Sequence, residues 1–277
     1  LPLMLRSSAG AYMYATSDVA CVLDRVERLD ADLLLYVVGA PQALHLQMVF
    51  EVCAMAGWLA PPTEAVHVPF GSVLGSDKKM LRSRAGDAVK LSDLLDEAVE
   101  RATAAVAEKN PELDPEAAAV VARQVGIGAL KYADLSNDRV KDYIFDWDRM
   151  LAFEGNTAPY LQYAHARICS IFRRAEVDRG ALDHTQVALA EPQEKALAQR
   201  LLAYPTAVAE TAAAFAPHRL CTYLFDLAQD FTAFYEHCPV ARADEPVRSS
   251  RLALCDVTAR TLASGLSLLG IDAPEAM

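Results

Sequence analysis

The sequence predicts an α/β domain followed by an all-α helical bundle, with helix predominating overall. Residues 31–39 form a continuous apolar run that ends in glycine, which is typical of a buried parallel strand. Residues 42–58 then show helical spacing, and residues 66–70 are predicted to form a second strand. This strand–helix–strand order indicates a parallel sheet with a helical crossover. From residue 91 onward almost every segment shows helical spacing.

The second part of the chain is divided into helices by prolines, which start or stop helices. We predict helices at 91–107, 115–135, 157–177, 191–204, 206–216, 218–237 and 246–269. The segment 138–151 is ambiguous, because residues 143–145 could form a short strand. We therefore predict two domains, residues 1–136 and residues 137–277.

Composition limits the function classes. Hydrophobic residues make up 53% of the 277 residues and charged residues 23%, which predicts a packed core. The net charge of -11 argues against a general nucleic-acid-binding surface, although a specific RNA site needs only local basic residues. We find no apolar run long enough to cross a bilayer and no signal peptide at the start, and the six cysteines lack metal-ligand spacing. We expect a cytoplasmic protein with reduced thiols that binds neither membrane nor DNA.

The first candidate site is the segment Tyr14-Ala-Thr-Ser-Asp18. If a helix begins near Thr16, the Asp18 carboxylate lies in its first turn. That carboxylate could accept a bidentate contact from a guanidinium ligand. From spacing alone, the simpler interpretation is that it only stabilises the helix N-terminus.

The second candidate site follows the first predicted strand. Gln42, His45 and Gln47 come directly after its carboxyl end, which is where open α/β sheets bind ligands. A structural role for these side chains remains equally compatible with the sequence.

The third candidate is the polar loop at residues 71–86. It contains Lys78, Lys79, Arg82 and Arg84, and a flexible cationic loop of this kind can hold a polyphosphate during group transfer. The GxxxxGK[ST] phosphate-binding pattern is absent. An ordinary solvated run of charges is the alternative.

The fourth candidate is the run from Asn156 to Arg167. Tyr160, Tyr163 and Arg167 are spaced to share one helix face, and two aromatic rings beside a guanidinium can stack unpaired RNA bases. Packing of the tyrosines within a helical bundle is the alternative.

Together these segments resemble class I arginyl-tRNA synthetases over essentially the whole chain. The resemblance rests on the segments around Tyr14–Asp18, 36–45, 73–91, 156–167 and 255–277. It implies a partial Rossmann-like nucleotide-binding domain, followed by a helical anticodon-binding domain of the DALR type. The loop at 71–86 lies where that family has its KMSKS loop, but the family's usual Gly-Lys-Lys is here shifted to Lys78-Lys79-Met80.

The resemblance also implies roles for individual residues. It assigns arginine binding to Tyr14, Asp18 and Gln42, ATP binding to His45, Gln47, Lys78 and Lys79, catalysis to Lys79, Arg82 and Arg84, and anticodon binding to Asn156, Tyr160, Tyr163, Arg167, Tyr235 and Met277.

The resemblance implies that the partners are tRNA(Arg), arginine and ATP with Mg²⁺ as substrate, with no tightly bound metal and a monomeric state. The family's His-x-Gly-His motif does not occur in these 277 residues. We therefore expect this chain alone to be unable to form arginyl-adenylate. A non-catalytic, synthetase-derived tRNA-binding module is the alternative function.

Overall fold

A computed structural model describes residues 2–81, 89–182 and 185–277. The chain divides into two compact units. Unit 1 contains Leu1–Val73 and Arg139–Tyr143, and unit 2 contains Leu74–Asp138 and Ile144–Met277. Each unit is described by itself below.

Unit 1 is the predicted α/β layer. Its elements are α1 (Tyr14–Glu27), β1 (Leu33–Gly39), α2 (Ala43–Met55) and β2 (Glu64–Phe70). Strands β1 and β2 pair in parallel, with α2 as the crossover between them, so the predicted strand–helix–strand order is confirmed. The apolar residues of one sheet face, such as Leu34, pack with Val22 and Val49 of the two helices.

The chain crosses the boundary between the units within two short strands. Strand β3 (Val73–Leu74) and strand β4 (Tyr143–Ile144) form a two-stranded sheet. The ambiguous segment at residues 143–145 therefore does contain a strand. Gly71 lies just before β3, and a β-carbon there would come within 2.7 Å of the Lys141 carbonyl carbon, so only glycine allows this approach of two backbones.

Unit 2 is helical, as predicted. Its helices are α3 (Leu91–Lys109), α4 (Pro115–Leu135), α5 (Trp147–Met150), α6 (Ala158–Ala175), α7 (Pro192–Leu202), α8 (Tyr204–Ala214), α9 (Pro217–His237) and α10 (Val247–Leu268). Several of these helices have a proline at the first or second position, where its missing N–H removes no helical hydrogen bond.

The core of unit 2 is formed by apolar faces of α4, α6, α7, α9 and α10. Leu161, Leu224, Phe231 and Leu262 are among its fully buried side chains. A second cluster joins α3 to α4, and Gly126 of α4 lies so close to α3 that a β-carbon would come within 2.6 Å of the Ala98 carbonyl oxygen. These contacts fix the helices on which the proposed RNA-binding residues lie.

Among the described residues, no helix combines the length and the apolar character needed to cross a membrane.

Candidate functional site

The predicted carboxylate of the first candidate site lies in unit 1 on helix α1. The helix begins at Tyr14 rather than near Thr16, and no acidic residue lies in its first turn. The interpretation of Asp18 as a charge that stabilises the helix N-terminus is therefore wrong. Tyr14 and Asp18 are instead one turn apart on the same helix surface.

Asp18 meets a residue from the second candidate site. The His45 Nε2 lies 2.7 Å from the Asp18 Oδ2, and both side chains are partly exposed. The rings of Tyr14 and His45 lie 5.4 Å apart between centroids, and Tyr14 is 73% exposed. The fold thus brings a carboxylate, an imidazole and a phenol together at an open surface of unit 1, a set of groups that can hold a guanidinium or another cationic group.

The two glutamines of the second site have different surroundings. Gln42 ends the short 3₁₀ helix Ala40–Gln42 that directly follows β1, and it is exposed at the carboxyl end of that strand. Gln47 lies on the surface of α2, where its Nε2 donates a hydrogen bond to Glu51 at 2.9 Å. The position of Gln42 matches the predicted ligand edge of the sheet. The assignments of His45 and Gln47 to ATP stay predictions.

The third candidate forms a tight turn rather than an open loop over its described part. The Gly75 N–H donates to the Lys79 carbonyl at 2.8 Å, and the Asp77 carboxylate accepts from the Lys79 N–H at 3.1 Å. Lys78 adopts a left-handed backbone conformation with φ of 60°. Both lysines are exposed, so the turn can present two ammonium groups to an anion. Arg82 and Arg84 lie outside the described residues.

The fourth candidate lies on helix α6 in unit 2. The Thr157 side chain caps the helix by accepting from the Tyr160 N–H at 3.2 Å, and Pro159 follows in the first turn. This cap fixes where the helix starts, and hence which side chains point in each direction. Tyr163 is 41% exposed, and Phe153 packs edge-on against it at 6.3 Å between centroids.

Arg167 lies one turn beyond Tyr163 and contacts a residue far away in sequence. Its guanidinium carbon is 4.6 Å from the centroid of the Tyr235 ring, which itself stacks on Phe231 at 6.0 Å. A guanidinium over an aromatic face is held by the ring quadrupole. The contact thus presents a flat cationic surface beside Tyr163, which suits the stacking of a nucleotide base.

The other predicted RNA contacts differ in how far they are buried and in how many contacts they make within the fold. Tyr160 turns towards α9, packs on the core of unit 2 and contacts Phe225 at 5.7 Å. Asn156 is exposed, but its Oδ1 accepts a hydrogen bond from Tyr132 at 2.6 Å. Met277 is partly buried against the cluster between α3 and α4. Among these predicted contacts, the exposed Tyr163 and the partly exposed Arg167 are therefore the best placed to contact a ligand.

Two residues that sequence reasoning missed join this surface. The Lys109 Nζ lies 5.5 Å from the centroid of the Phe153 ring, which in turn packs against Tyr163. The next residue, Asn110, donates from Nδ2 to the Met277 carbonyl at 3.1 Å. A continuous row of contacts thus leads from Met277 to Tyr163. The sequence offers no motif for it, because its members come from four separate segments.

Comparison with known proteins identifies the class to which this arrangement belongs. A family model described as "tRNA synthetases class I (R), catalytic domain" matches residues 1–147, and a "DALR anticodon binding domain" model matches residues 161–277. The architecture is thus that of a class I aminoacyl-tRNA synthetase, in which a catalytic domain is joined to a helical domain for the anticodon. The chain belongs to the class I arginyl-tRNA synthetase family.

Individual relatives agree with this family. The chain is 57% identical to "Arginine--tRNA ligase" of Thermobifida fusca and 54% identical to the protein of that name in Frankia casuarinae, covering 100% and 99% of this chain but 48% and 46% of those proteins. It thus spans about half the length of the relatives it matches. Its fold resembles the solved Thermus thermophilus arginyl-tRNA synthetase with a TM-score of 0.88 at 34% identity, covering 99% of this chain and 51% of that one. The Plasmodium falciparum arginyl-tRNA synthetase gives a TM-score of 0.87 at 30% identity, over 100% and 47% of the two chains.

The family membership and the predicted fold class are therefore confirmed. The predicted functional boundary between residues 136 and 137 stays a prediction. The compact units divide the chain at β3 and β4, whereas the two family models leave residues 148–160 unmatched.

Proposed function

We propose that the protein to which this chain belongs attaches arginine to tRNA(Arg) at the expense of ATP, as an arginine–tRNA ligase. The observation that carries the proposal is the 57% identity to a protein of that name, which extends over the whole chain and so includes both candidate sites. In this proposal unit 1 supplies part of the arginine site, and unit 2 supplies the anticodon-binding surface.

The arginine site is proposed at Tyr14, Asp18 and Gln42. An ionised carboxylate can take a bidentate contact from the guanidinium of the substrate, which binds and orients it. The phenol of Tyr14 and the amide of Gln42 are both exposed, and Gln42 lies three residues before His45, the partner of Asp18. Both groups can add hydrogen bonds. Lysine and citrulline would be rejected, because the first lacks the planar fork and the second lacks the charge.

The reaction proposed for the complete protein has two steps. The arginine carboxylate attacks the α-phosphorus of ATP and releases pyrophosphate, and a ribose hydroxyl at the tRNA 3′ end then attacks the activated carbonyl carbon and releases AMP. Neither step needs a covalent enzyme intermediate, so positioning and electrostatic stabilisation supply the catalysis. Magnesium would arrive with ATP. Lys78 and Lys79 are proposed to face the phosphates.

The anticodon-binding surface is proposed around Tyr163, Arg167 and Tyr235. Single-stranded RNA loops are bound by stacking unpaired bases on aromatic rings and guanidinium planes. The exposed Tyr163 ring and the Arg167 guanidinium over Tyr235 provide both kinds of surface within one helical turn. Tyr160 and Asn156 are proposed to shape the edge of this surface, and Met277 is proposed to close its other side.

The second candidate function is a tRNA-binding module without charging activity. The absence of the His-x-Gly-His motif from these 277 residues favours it for the chain on its own. The grouping of Tyr14, Asp18 and His45 favours the ligase, because these side chains can hold a guanidinium and an RNA-binding module requires no such group. We further propose a cytoplasmic monomer for the complete protein.

Arginine-dependent exchange of labelled pyrophosphate into ATP separates these functions. We expect the complete protein to catalyse the exchange with arginine but not with citrulline, and this chain alone to bind tRNA(Arg) without catalysing it. Exchange by the chain alone would refute the division of labour proposed here. A complete protein that bound tRNA(Arg) but never activated arginine would support the non-catalytic module instead.

A further inference from the structure

Residues 270–277 follow helix α10 and run along unit 2 as a strap without regular secondary structure. The strap begins at Gly270, which has a φ of +68° and so turns the chain out of the helix. Its second residue, Ile271, has a buried side chain. A segment of this kind needs partners for its backbone polar groups, because each unpaired buried carbonyl is costly.

Besides the packing of Ile271 in the core and of Met277 on the α3–α4 cluster, the strap is held by hydrogen bonds to its backbone carbonyls. Gln162 donates from Nε2 to the Asp272 carbonyl at 2.8 Å, and Arg173 donates from Nη1 to the Glu275 carbonyl at 2.9 Å. At the two ends, Lys131 donates to the Gly270 carbonyl and Asn110 to the Met277 carbonyl.

His165 completes this set from the buried side. Its Nδ1 lies 2.9 Å from the Pro274 carbonyl oxygen, which can only accept, so the hydrogen bond requires a proton on Nδ1. Its Nε2 faces the Cys169 sulfur at 3.7 Å. Gln162 is 0% exposed and His165 is 4% exposed. Both side chains therefore donate their hydrogen bonds inside the protein and cannot contact a ligand directly.

Gly128 of helix α4 leaves room for the strap and for the Gln162 side chain, which together with His165 forms the clamp that holds the strap. A β-carbon on Gly128 would come within 3.0 Å of the Gln162 Nε2 and 3.1 Å of a methyl group of Ile271. Gln162 also donates to the Gln124 carbonyl at 3.2 Å, so its amide ties α4, α6 and the strap together. A larger residue at position 128 would have to displace the clamp or the strap.

The strap ends beside the proposed RNA-binding surface. Its last residue, Met277, packs on the α3–α4 cluster and is held by Asn110, whose neighbour Lys109 lies over Phe153, the partner of Tyr163. Gln162 and His165 lie on the buried side of α6, and Tyr163, between them in sequence, lies on its exposed side. Helix α6 therefore holds the strap with its buried face and presents the proposed RNA contact Tyr163 on its exposed face.

We propose that Gln162 and His165 are positioning residues that hold residues 270–277 in place so that Met277 lies at the edge of the RNA-binding surface. The proposal rests on the proposed function for its RNA readout, but the docking of the strap can be measured without RNA. Because the clamp acts on backbone carbonyls, the side chains of Asp272 and Glu275 should be replaceable, whereas the two clamp donors should not.

The strap is tested first by carboxypeptidase digestion of the 277-residue chain, followed by mass spectrometry. Gln162→Met keeps the volume but loses the donor, and we expect it to speed removal of the last residues about 3- to 10-fold, the equivalent of one net hydrogen bond. Gln199→Met, on the exposed surface of α7, is the matched control and should leave the rate unchanged. Equal rates for Gln162→Met and the control would overturn the clamp.

Substitutions of His165 provide a second test, which remains valid even if the Gln162→Met variant fails to fold. His165→Asn can still donate to the Pro274 carbonyl from a similar position, so it should retain protection of the strap. His165→Leu cannot donate and should lose it. Loss of protection in both variants, or in neither, would contradict a role for the Nδ1 donor.

The coupling to RNA is tested with a double-mutant cycle on the affinity for an anticodon hairpin of tRNA(Arg). Gln162→Met should weaken binding about 3- to 10-fold in the wild-type background and less than about twofold once Met277→Ala is present, because both act through one residue. Full additivity in the cycle, with strap protection lost as expected, would overturn the positioning role. If the wild-type chain fails to bind the hairpin while the digestion results hold, the proposed function fails and the clamp stands.

Discussion

Replacing Tyr163 with alanine is the sharpest test of the proposed RNA-binding surface, because this side chain makes few contacts within the fold. It is 41% exposed, and its ring contact within the described part of unit 2 is the edge-on packing of Phe153. Loss of such an aromatic pair costs about 0.5–1.5 kcal/mol of folding free energy. Tyr160 is a poorer choice, because it packs on the core and its removal would destabilise the fold.

The expected loss in RNA affinity is larger than the loss in stability. Stacking of a base on an aromatic side chain contributes about 1–3 kcal/mol by alanine substitution. Tyr163→Ala should therefore weaken binding of the tRNA(Arg) anticodon hairpin about 5- to 150-fold. Tyr163→Phe keeps the ring. Its affinity should stay within about 12-fold of the wild type, since a lost hydroxyl contact contributes about 0.5–1.5 kcal/mol at most.

Fluorescence anisotropy with a labelled hairpin at one fixed salt concentration measures these affinities, since phosphate contacts make them strongly salt-dependent. Tyr12→Ala is the matched control, because Tyr12 is a tyrosine of unit 1 that is 72% exposed. Circular dichroism melting confirms that each variant is folded. A folded Tyr163→Ala protein with wild-type affinity would refute the stacking role.

Three further predictions concern the arginine site and the stability of unit 2. Asp18→Asn in the complete protein should raise KM for arginine about 10- to 150-fold through loss of a charged hydrogen bond, with little change for ATP in the pyrophosphate exchange assay, and the opposite pattern would contradict its role. Glu194→Gln should lower the free energy of unfolding in urea by about 3–5 kcal/mol, because it leaves the buried Arg251 guanidinium, 2.7 Å away, without its charge partner. Glu97→Gln breaks an exposed ion pair with Arg101 and should change the free energy of unfolding by about 1 kcal/mol or less. Equal effects of the two substitutions would contradict the importance of burial for the Glu194–Arg251 pair. Lowering the pH from 7 to 5 should reduce the free energy of unfolding of the wild type more than that of His165→Asn in the same urea assay. An equal reduction in both proteins would contradict the conclusion that His165 is buried in its neutral form.

The sign of the pH effect follows from burial. Desolvation lowers the pKa of His165 below its ordinary value of 6.5, although the hydrogen bond with Pro274 and the nearby Glu275 oppose this shift and Arg179 adds to it. The unfolded chain then binds a proton at a higher pH than the folded chain does. Stability is therefore fully present above about pH 6.5 and falls as the pH decreases through that range.

Glu194 responds in a separate, more acidic range. Burial raises the pKa of its carboxyl, but hydrogen bonds from the backbone of Glu191, from Arg251 and from the backbone of Ala190 outweigh burial and lower the pKa below its ordinary value of 4.5. Its contribution to stability is present above about pH 4.5 and is lost as the pH falls through the folded-state pKa. The two groups can thus be separated by their pH ranges.

The sequence predicted the parts of the fold that depend on local patterns. The apolar run of β1 and the prolines that begin α7 and α9 mark their elements because side-chain character and backbone geometry act on neighbouring residues. The prediction that β1 is buried was wrong for one face, since Leu33, Leu35 and Val37 are exposed and only Leu34 of the strand is buried. The start of α1 was misplaced, because Met13 precedes it without a side-chain cap and therefore leaves no signal in the sequence.

The arrangement of the sites depended on distant contacts. The hydrogen bond between Asp18 and His45 joins residues 27 positions apart, and no spacing rule connects them. Helical spacing placed Tyr160 beside Tyr163, yet only the position of Phe225 on α9 decides that Tyr160 faces inward. Lys109 and Phe153 carried no motif at all.

The central claim is that unit 2 binds an anticodon loop and selects the arginine anticodon. Competition of two hairpins for the 277-residue chain, identical except in their anticodon bases, measures this directly. A hairpin with an arginine anticodon should bind at least about tenfold more tightly than one with an unrelated anticodon, since each base contact contributes about 1–3 kcal/mol. Equal affinity for the two hairpins would contradict the claim.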